Sequence, residues 1–183
     1  MGLILERAIR VTSEKAPCPY SEEMRWDWID EAIEYAKRSL CDRSKVGAAL
    51  ILADGDKFLA HNQVTPGHGS ITCKSFCPRG AKTFAEQPAY AEYNDCSALH
   101  AEFAVVNKAL FAAGRNNSAE AFGEMADGLK TSQSTLRQLF RNSWMFVTRE
   151  PCDACKMYLE GLGIRYQWVN IRKRKRVIHV SDL

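Results

Sequence analysis

The chain lacks the long hydrophobic runs of membrane and exported proteins. No segment approaches the about 18 uninterrupted apolar residues that a transmembrane helix needs. The N-terminal stretch MGLILERAIRVTSEK carries acids and arginines within its short apolar portion, so it lacks the h-region of a signal peptide. Its sixth residue, Glu6, stands where a myristoylation signal has serine or threonine. We therefore expect a cytoplasmic protein with no membrane partner.

Strong net charge of either sign is also missing. The 25 lysines and arginines against 22 aspartates and glutamates leave a formal net charge of +3. Such a balance neither requires nor excludes an anionic partner. Five basic residues stand together at Arg172–Arg176, and a run of this kind is more often a solvated hairpin turn than a nucleic-acid patch. A nucleic acid is therefore the less favoured partner, although this run keeps it as an alternative.

Internal repeats and low-complexity tracts are absent as well. Hydrophobic residues make up 46% and charged residues 26% of the 183 positions, which is an ordinary globular mixture. A chain of this length can bury a core of its own. We therefore predict a single domain over residues 1–183, with its core at about residues 21–180.

Apolar spacing predicts helices and strands that alternate along the chain. Ser21 opens a helical pattern in SEEMRWDWIDEAIEYAKRSL, and KVGAALILA and KFLAHNQV predict a strand hairpin around DGDK. SALHAEFAVVNKALFAAG predicts a helix that ends at Gly114. The remaining predicted elements are the helix STLRQLF, the strand SWMFVT, the helix CDACKMYLEGLG and the strands YQWVNI and RVIHV. This order predicts a three-layer α/β/α sandwich around a five-stranded mixed sheet.

Cysteine, by contrast, is plentiful for a protein of a reducing compartment. The seven cysteines are Cys18, Cys41, Cys73, Cys77, Cys96, Cys152 and Cys155. Their number is odd, and no export signal supports a disulfide framework. Metal binding therefore explains at least some of them.

Two short stretches together predict a catalytic zinc site. LHAEFAVV places His100 two residues before Glu102, and PCDACKMYLEGLG places Cys152 three residues before Cys155. If each set lies in the first turn of its helix, the two sulfurs share one helical face and can bind one ion with the histidine. Ligands of this kind suit tetrahedral zinc and leave a fourth position open, as catalytic sites do. Zinc lowers the pKa of a bound water to about 7, and Glu102 is placed to take a proton from that water.

The sequence HAE followed by PCDAC resembles the H-x-E and P-C-x-x-C signature of the zinc-dependent cytidine deaminase superfamily. More narrowly, CDRSKVGAALI, CPRG and CSALHAE are similar to the deoxycytidylate (dCMP) deaminases, especially the bacterial and phage-type members. The resemblance covers the predicted core. It implies zinc-dependent hydrolysis of a cytosine nucleotide, first of all dCMP or a 5-substituted form of it, to the uracil nucleotide and ammonia.

The resemblance also implies a role for each residue of the site. The zinc ligands are His100, Cys152 and Cys155. Glu102 shuttles protons, the backbone amide of Ala101 holds the pyrimidine O2, and Asn62 contacts the sugar. Only this asparagine of the loop AHNQ matches the GYNG of many dCMP deaminases, which leaves substrate identity and nucleotide regulation open. The family further implies a homo-oligomer, often a hexamer.

Basic residues near the predicted substrate loops favour a 5′-monophosphate over a nucleoside. A phosphate monoester forms charge-assisted hydrogen bonds with arginine and lysine. The candidate contacts are Arg43, Lys45, Lys74 and Arg79.

Four further cysteines suggest a second, structural zinc. Some dCMP deaminases carry one at comparable places, and four cysteine ligands would order the poorly patterned loop at 65–95. The candidate ligands are Cys41, Cys73, Cys77 and Cys96, with His68 as an alternative to one cysteine. In the competing interpretation Cys41 and Cys96 are small buried apolar residues and the loop is flexible.

Two other functions remain open. The same chemistry could act on a nucleoside or on a base in RNA or DNA, and the run Arg172–Arg176 favours a polymer because phosphate contacts need clustered basic residues. A zinc-stabilised binding module without catalysis is the other alternative. Glu102 argues against it, because a structural zinc site closes its fourth position and needs no base.

Overall fold

A mixed β-sheet with helices on both faces forms the centre of the fold. The computed structural model describes residues 17–41, 44–64, 86, 98–113, 135–169 and 178–180. In chain order the elements are α1 (Glu22–Ala36), β1 (Gly47–Ile51), β2 (Lys57–His61), β3 (Gln63–Val64), β4 (Ala98–Leu99), α2 (Ala101–Ala112), β5 (Trp144–Val147), α3 (Asp153–Leu162), β6 (Arg165–Val169) and β7 (Ile178–Val180). Residues 135–139 add a short helical segment before β5.

The central sheet has five strands in the order β2-β1-β5-β6-β7. β1 runs antiparallel to both β2 and β5, β5 and β6 are parallel, and β7 is antiparallel to β6. The predicted five-stranded mixed sheet is therefore confirmed. Because β1 is antiparallel to both neighbours, its beginning lies at the same edge of the sheet as the ends of β2 and β5. The segments that follow β2 and β5 at this edge carry predicted site residues, Asn62 and Cys152.

The two faces of the sheet pack against different helices, which gives three layers. Successive side chains of a strand point to opposite faces. In β1 and β5, the residues that pack against α1 are Ala49, Ile51, Trp144 and Phe146. In the same two strands, the residues that share a core with α2 and α3 are Ala48, Leu50, Met145 and Val147. The predicted three-layer α/β/α sandwich is therefore confirmed.

Local sequence signals set several helix ends. The Oγ atom of Ser21 caps α1 by accepting a hydrogen bond from the backbone N–H of Met24 at 3.2 Å. α3 ends at Leu162, and its C-cap is Gly163, whose φ of 74° lies in the left-handed region that favours glycine. Both residues were expected at these places from the sequence pattern.

Two segments differ from the prediction. KFLAHNQV divides at Asn62 into β2 and β3, and β3 pairs with β4 in a separate two-stranded sheet. Between these strands, the Oδ1 atom of Asn62 accepts a hydrogen bond from the backbone N–H of Val46. α2 also begins later than predicted, at Ala101, because the residues before its N-cap, His100, pair in β4. The predicted end of this helix at Gly114 lies outside the described residues.

The sequence predicted no transmembrane segment and a single domain. Within the described ranges, no helix combines the length and the apolar character that crossing a bilayer requires. The assignment of residues 1–183 to one domain stays a prediction.

Gly47 allows α1 and β1 to approach each other closely. A Cβ atom at this position would lie 1.9 Å from the backbone oxygen of Ala32. Replacing Gly47 with alanine should therefore lower the free energy of unfolding by about 1–3 kcal/mol, because the backbone of one element must shift. Urea unfolding followed by circular dichroism measures this change.

Gly161 in α3 provides the matched control. A Cβ atom added there meets no atom within 4 Å. Gly161→Ala should be neutral or should stabilise the protein by about 0.5–1 kcal/mol, since alanine favours the helix over glycine. If Gly47→Ala unfolded at the same urea concentration as the wild type, the close packing of α1 on β1 would be wrong.

Candidate active site

The three predicted zinc ligands converge at the beginnings of two helices. His100 is the N-cap of α2, Cys152 is the N-cap of α3, and Cys155 lies in the first turn of α3. The Nδ1 atom of His100 is 3.2 Å from the Sγ atom of Cys155 and 3.5 Å from that of Cys152. The three ligand atoms all lie within 4.8 Å of one another. In the part of the chain that the structure describes, no other group of three or more His, Cys, Asp or Glu side chains comes together in this way.

Tertiary pairing brings the two helix beginnings together. β4 directly precedes His100 and pairs with β3, while β5 leads through Pro151 to Cys152. Phe103 of α2 stacks on Tyr158 of α3, with ring centroids 4.1 Å apart and 17° between the ring planes. This stack holds the two ligand-bearing helices side by side. His100 and Cys152 thus lie at N-caps, one position before the first turns in which they were predicted.

The donor set fits a zinc ion. Zinc binds imidazole nitrogen at about 2.0 Å and thiolate sulfur at about 2.3 Å, and tetrahedral geometry then puts nitrogen and sulfur about 3.5 Å apart. The two nitrogen–sulfur distances here, 3.2 and 3.5 Å, are close to this value. Two thiolates with one imidazole favour zinc over hard cations such as Mg²⁺. Three protein ligands leave the fourth position open.

Hydrogen bonding between the two cysteines prepares one of them as a thiolate. A hydrogen bond from the Cys155 thiol lowers the pKa of Cys152 to about 4. The pKa of Cys155 is raised above its usual range. The main cause is this hydrogen bond, which holds the proton of Cys155, and the second is the burial of the thiol. The lowered pKa favours the thiolate form of Cys152, and a cation that binds both sulfurs displaces the proton of Cys155. The positive ends of α2 and α3 stabilise the thiolates further.

Glu102 is buried beside these ligands, in the first turn of α2. Only 4% of the residue is exposed. Burial raises the pKa of its carboxyl, and the hydrogen bond from its own backbone N–H and the charge of His100 oppose this shift only in part. A raised pKa makes a carboxyl a better proton acceptor, and a general acid–base catalyst must take up a proton and return it.

The sequence matches one protein-family model over most of its length. Residues 23–170 match the zinc-binding region of cytidine and deoxycytidylate deaminases. The chain belongs to this deaminase family. It is therefore an enzyme that deaminates cytosine compounds, and all four residues of the site lie within the matched range. No curated protein sequence matches the chain.

Solved structures of two deaminases are similar to this deaminase at low sequence identity. A dCMP deaminase from the cyanophage S-TIM5 in apo form has a TM-score of 0.47 at 16% identity, over 86% of this chain and 98% of that chain. The same phage enzyme in complex with dCMP and dUMP has a TM-score of 0.49 at 18% identity, over 81% and 84%. A cytidine deaminase from Burkholderia pseudomallei has a TM-score of 0.45 at 16% identity, over 85% and 90%. Because all three TM-scores are below 0.5, the family assignment rests on the family model.

Asn62, the predicted sugar contact of the deaminase, is buried and holds the chain before β1. Its Nδ2 atom donates to the backbone oxygen of Ser44, and its Oδ1 atom accepts from the backbone N–H of Val46, both at 2.9 Å. Among the described residues, these bonds leave one N–H and one lone pair of the amide without a partner and so available to a ligand. Ala101 is buried as the first residue of α2, where backbone N–H groups have no partner within the helix. Both substrate contacts stay predictions.

The predicted second zinc site lies mostly outside the described residues. The candidate ligands that lie there are Cys73, Cys77, Cys96 and His68. Cys41 is described, and its thiol is buried and free of any disulfide. Burial is consistent with a metal ligand and with a small apolar residue alike, so the second zinc stays a prediction.

Of the four basic residues predicted near a phosphate, Lys45 is the one that the structure describes. Its Nζ atom donates to the backbone oxygen of Lys37 at 3.2 Å, at the end of α1. The others, Arg43, Lys74 and Arg79, lie outside the described residues, as does the basic run Arg172–Arg176. Sequence reasoning missed Arg149, whose Nη1 atom donates to the Oγ atom of Ser44 at 2.6 Å. The available signal was a basic residue shortly before the Pro-Cys motif, but a sequence does not give the direction of its side chain.

Proposed function

We propose that the chain catalyses the hydrolytic deamination of a cytosine 5′-monophosphate, with dCMP giving dUMP and ammonia. The observation that carries the proposal is the buried carboxyl of Glu102 beside three zinc-type ligands that leave one coordination position open. A purely structural zinc site needs neither the open position nor the carboxyl. The monophosphate is inferred from the resemblance to the dCMP deaminases and from the basic residues near the substrate loops.

Glu102 performs the proton transfers of the proposed reaction. His100, Cys152 and Cys155 would hold a zinc ion, which supplies a Lewis acid that makes hydroxide available near neutral pH. The carboxylate of Glu102 accepts the proton of the water that attacks C4 of the cytosine ring and gives that proton to ring N3. It then transfers the second proton of the attacking oxygen to the amino group. The C4–N bond breaks, ammonia leaves, and the new C4–O bond becomes the carbonyl of uracil.

The beginning of α2 also provides a place for the base of the substrate. The backbone N–H of Ala101 would donate to O2 of the pyrimidine, and the helix N-terminus favours the partial negative charge there. Asn62 would contact the sugar with its remaining amide donor and acceptor. The base would thus be oriented with its C4 atom toward the zinc ligands and Glu102.

The preferred substrate should be a 5′-monophosphate rather than a nucleoside. Each charge-assisted contact to the phosphate is worth about 1.5–3 kcal/mol, which is tenfold or more in kcat/KM. We therefore expect kcat/KM for dCMP to exceed that for deoxycytidine by at least about tenfold at low salt, with a smaller ratio at high salt. Ammonia release from both substrates, and from 5-substituted dCMP, measures this preference.

Equal kcat/KM values for dCMP and deoxycytidine would contradict the monophosphate and leave a nucleoside as substrate. Faster deamination of cytosine in RNA or DNA, with a steep loss of binding at high salt, would instead favour the polymer. From the length and composition of the chain we also propose that residues 1–183 form one domain, and from its lack of an export signal we propose that it acts in the cytoplasm. The resemblance further leads us to propose a homo-oligomer.

A further inference from the structure

Residues 44–46, which we name the pre-β1 segment, are held from two sides. On one side the amide of Asn62 donates to the backbone oxygen of Ser44 and accepts from the backbone N–H of Val46, both at 2.9 Å. On the other side the guanidinium of Arg149 donates to the hydroxyl of Ser44 at 2.6 Å. Ser44 therefore contacts Asn62 through its backbone and Arg149 through its side chain.

Arg149 belongs to the segment that carries a zinc ligand. It follows β5 and lies three positions before Cys152. Directly before it, Thr148 exchanges two hydrogen bonds with Gly47: its Oγ1 atom accepts from the Gly47 N–H at 2.9 Å, and its N–H donates to the Gly47 oxygen at 3.0 Å. The end of β5 is thus fixed to the beginning of β1, and Arg149 extends this connection to the pre-β1 segment.

A continuous set of hydrogen bonds therefore joins two parts of the site. It runs from Arg149 through Ser44 to Asn62, and its first bond joins residues 105 positions apart in the sequence. One end is covalently continuous with Cys152. The other end is the amide that has one donor and one acceptor left for a ligand.

We propose that Arg149 is a positioning residue that sets the affinity of the site for its substrate. It acts through Ser44 on Asn62 and thereby fixes where the sugar contact lies relative to the zinc ligands. This inference rests on the proposed function, in which Asn62 contacts the sugar. Arginine suits the role because its planar guanidinium is always charged and forms a short, directed hydrogen bond to the hydroxyl. Loss of the Arg149–Ser44 hydrogen bond should weaken substrate binding. It should not slow proton transfer by Glu102, because that step does not involve the pre-β1 segment.

Arg149→Met removes the donor and Ser44→Ala removes the acceptor of the Arg149–Ser44 hydrogen bond, so each variant tests the proposal separately. We expect either variant to raise KM for dCMP, and the dissociation constant of the product dUMP, by about tenfold, which corresponds to about 1.4 kcal/mol. We expect kcat to stay within about threefold of wild type, because uniform binding is lost rather than stabilisation of the transition state. Bound zinc and the thermal unfolding midpoint should remain those of the wild type.

Two additional variants separate positioning from a general structural effect. Arg149→Lys retains a charged donor and should recover part of the loss in dUMP affinity. The double variant Arg149→Met/Ser44→Ala should bind dUMP no more weakly than Arg149→Met alone, because the bond to Ser44 is already lost in that single variant. Arg137→Met is the matched control, since exposed Arg137 donates to the backbone oxygen of Gly161 at the far end of α3. It should leave KM and the dUMP affinity unchanged.

Several results would overturn the role of Arg149. One is that both single variants keep the KM and the dUMP affinity of the wild type. Another is that the variants lose zinc together with activity. A third is that Arg137→Met changes KM and the dUMP affinity as much as Arg149→Met does. Ser44→Ala removes only a hydroxyl oxygen, so it decides the question even if Arg149→Met does not fold. The substrates of the wild-type enzyme test the proposed function separately. If the wild type deaminates deoxycytidine but not dCMP, the proposed monophosphate is wrong. The same variants are then assayed with deoxycytidine as substrate and deoxyuridine as product. A wild type that deaminates neither would overturn both proposals.

Discussion

Replacing Glu102 with glutamine should lower kcat for ammonia release by at least about a hundredfold, because the amide cannot take up and return a proton. The side chain is nearly isosteric, and the residue is buried in the first turn of α2, so the fold should be kept. The zinc ligands are separate residues, and bound zinc should also remain at the wild-type level. Steady-state kinetics with dCMP, together with elemental analysis of zinc, measures both quantities.

Glu160→Gln is the matched control for this substitution. Glu160 is an exposed carboxylate on α3 and has no part in the proposed reaction. Its replacement should leave kcat and KM unchanged. If Glu102→Gln retained kcat within a few-fold of wild type, Glu102 would not be the proton shuttle.

Replacing Cys155 with serine should release the zinc and abolish activity. Its sulfur lies 3.2 Å from Nδ1 of His100 and is fully buried, so serine would remove a soft ligand from the centre of the site. Loss of a hydrogen-bond partner around a ligand already lowers metal affinity by about 10–100-fold, and loss of the ligand itself should cost more. The unfolding midpoint should fall as well, because a metal that binds only the folded state stabilises it. Zinc per chain and thermal unfolding measure the two effects.

Cys18→Ser is the control for the loss of a half-buried thiol outside the site. It should retain the zinc content and the activity of the wild type. Cys152→Ser should behave like the Cys155 variant, since both sulfurs face the same histidine nitrogen. Full zinc retention in both ligand variants would show that the ion is bound elsewhere.

The three layers were predictable because burial leaves a strong pattern in the sequence. Every residue of β1 and β5 is buried, and GAALI and WMFV are apolar throughout because helices cover both faces of the sheet. The beginning of α2 was not predictable in the same way. SAL has no strong local preference, and Ala98–Leu99 becomes a strand only because Gln63–Val64 lies beside it. A pairing between segments so far apart in sequence has no local signal.

The zinc-type ligands and Glu102 were predictable because their spacing is local. Glu102 lies two positions after His100 and Cys155 lies three positions after Cys152, and a helix converts such spacings directly into positions. The surroundings of Asn62 depend on tertiary structure instead. Its amide partners lie 16 and 18 positions away, and the bond from Arg149 to Ser44 spans 105 positions. The role of Asn62 therefore stays a prediction from the resemblance, and the contact between Arg149 and Ser44 had no local signal in the sequence.

Ammonia release from dCMP by metal-free and zinc-reloaded protein tests most directly that the site of His100, Cys152, Cys155 and Glu102 is a zinc-dependent deaminase centre. We predict that protein treated with a chelator releases no ammonia above background. Turnover should return as zinc is added and should level off when the site is filled, while Cys155→Ser stays inactive at every zinc concentration. Chelator-treated protein that released ammonia as fast as the zinc-loaded protein would contradict zinc dependence. Zinc-loaded protein that released none from any cytosine compound would contradict deamination at this site.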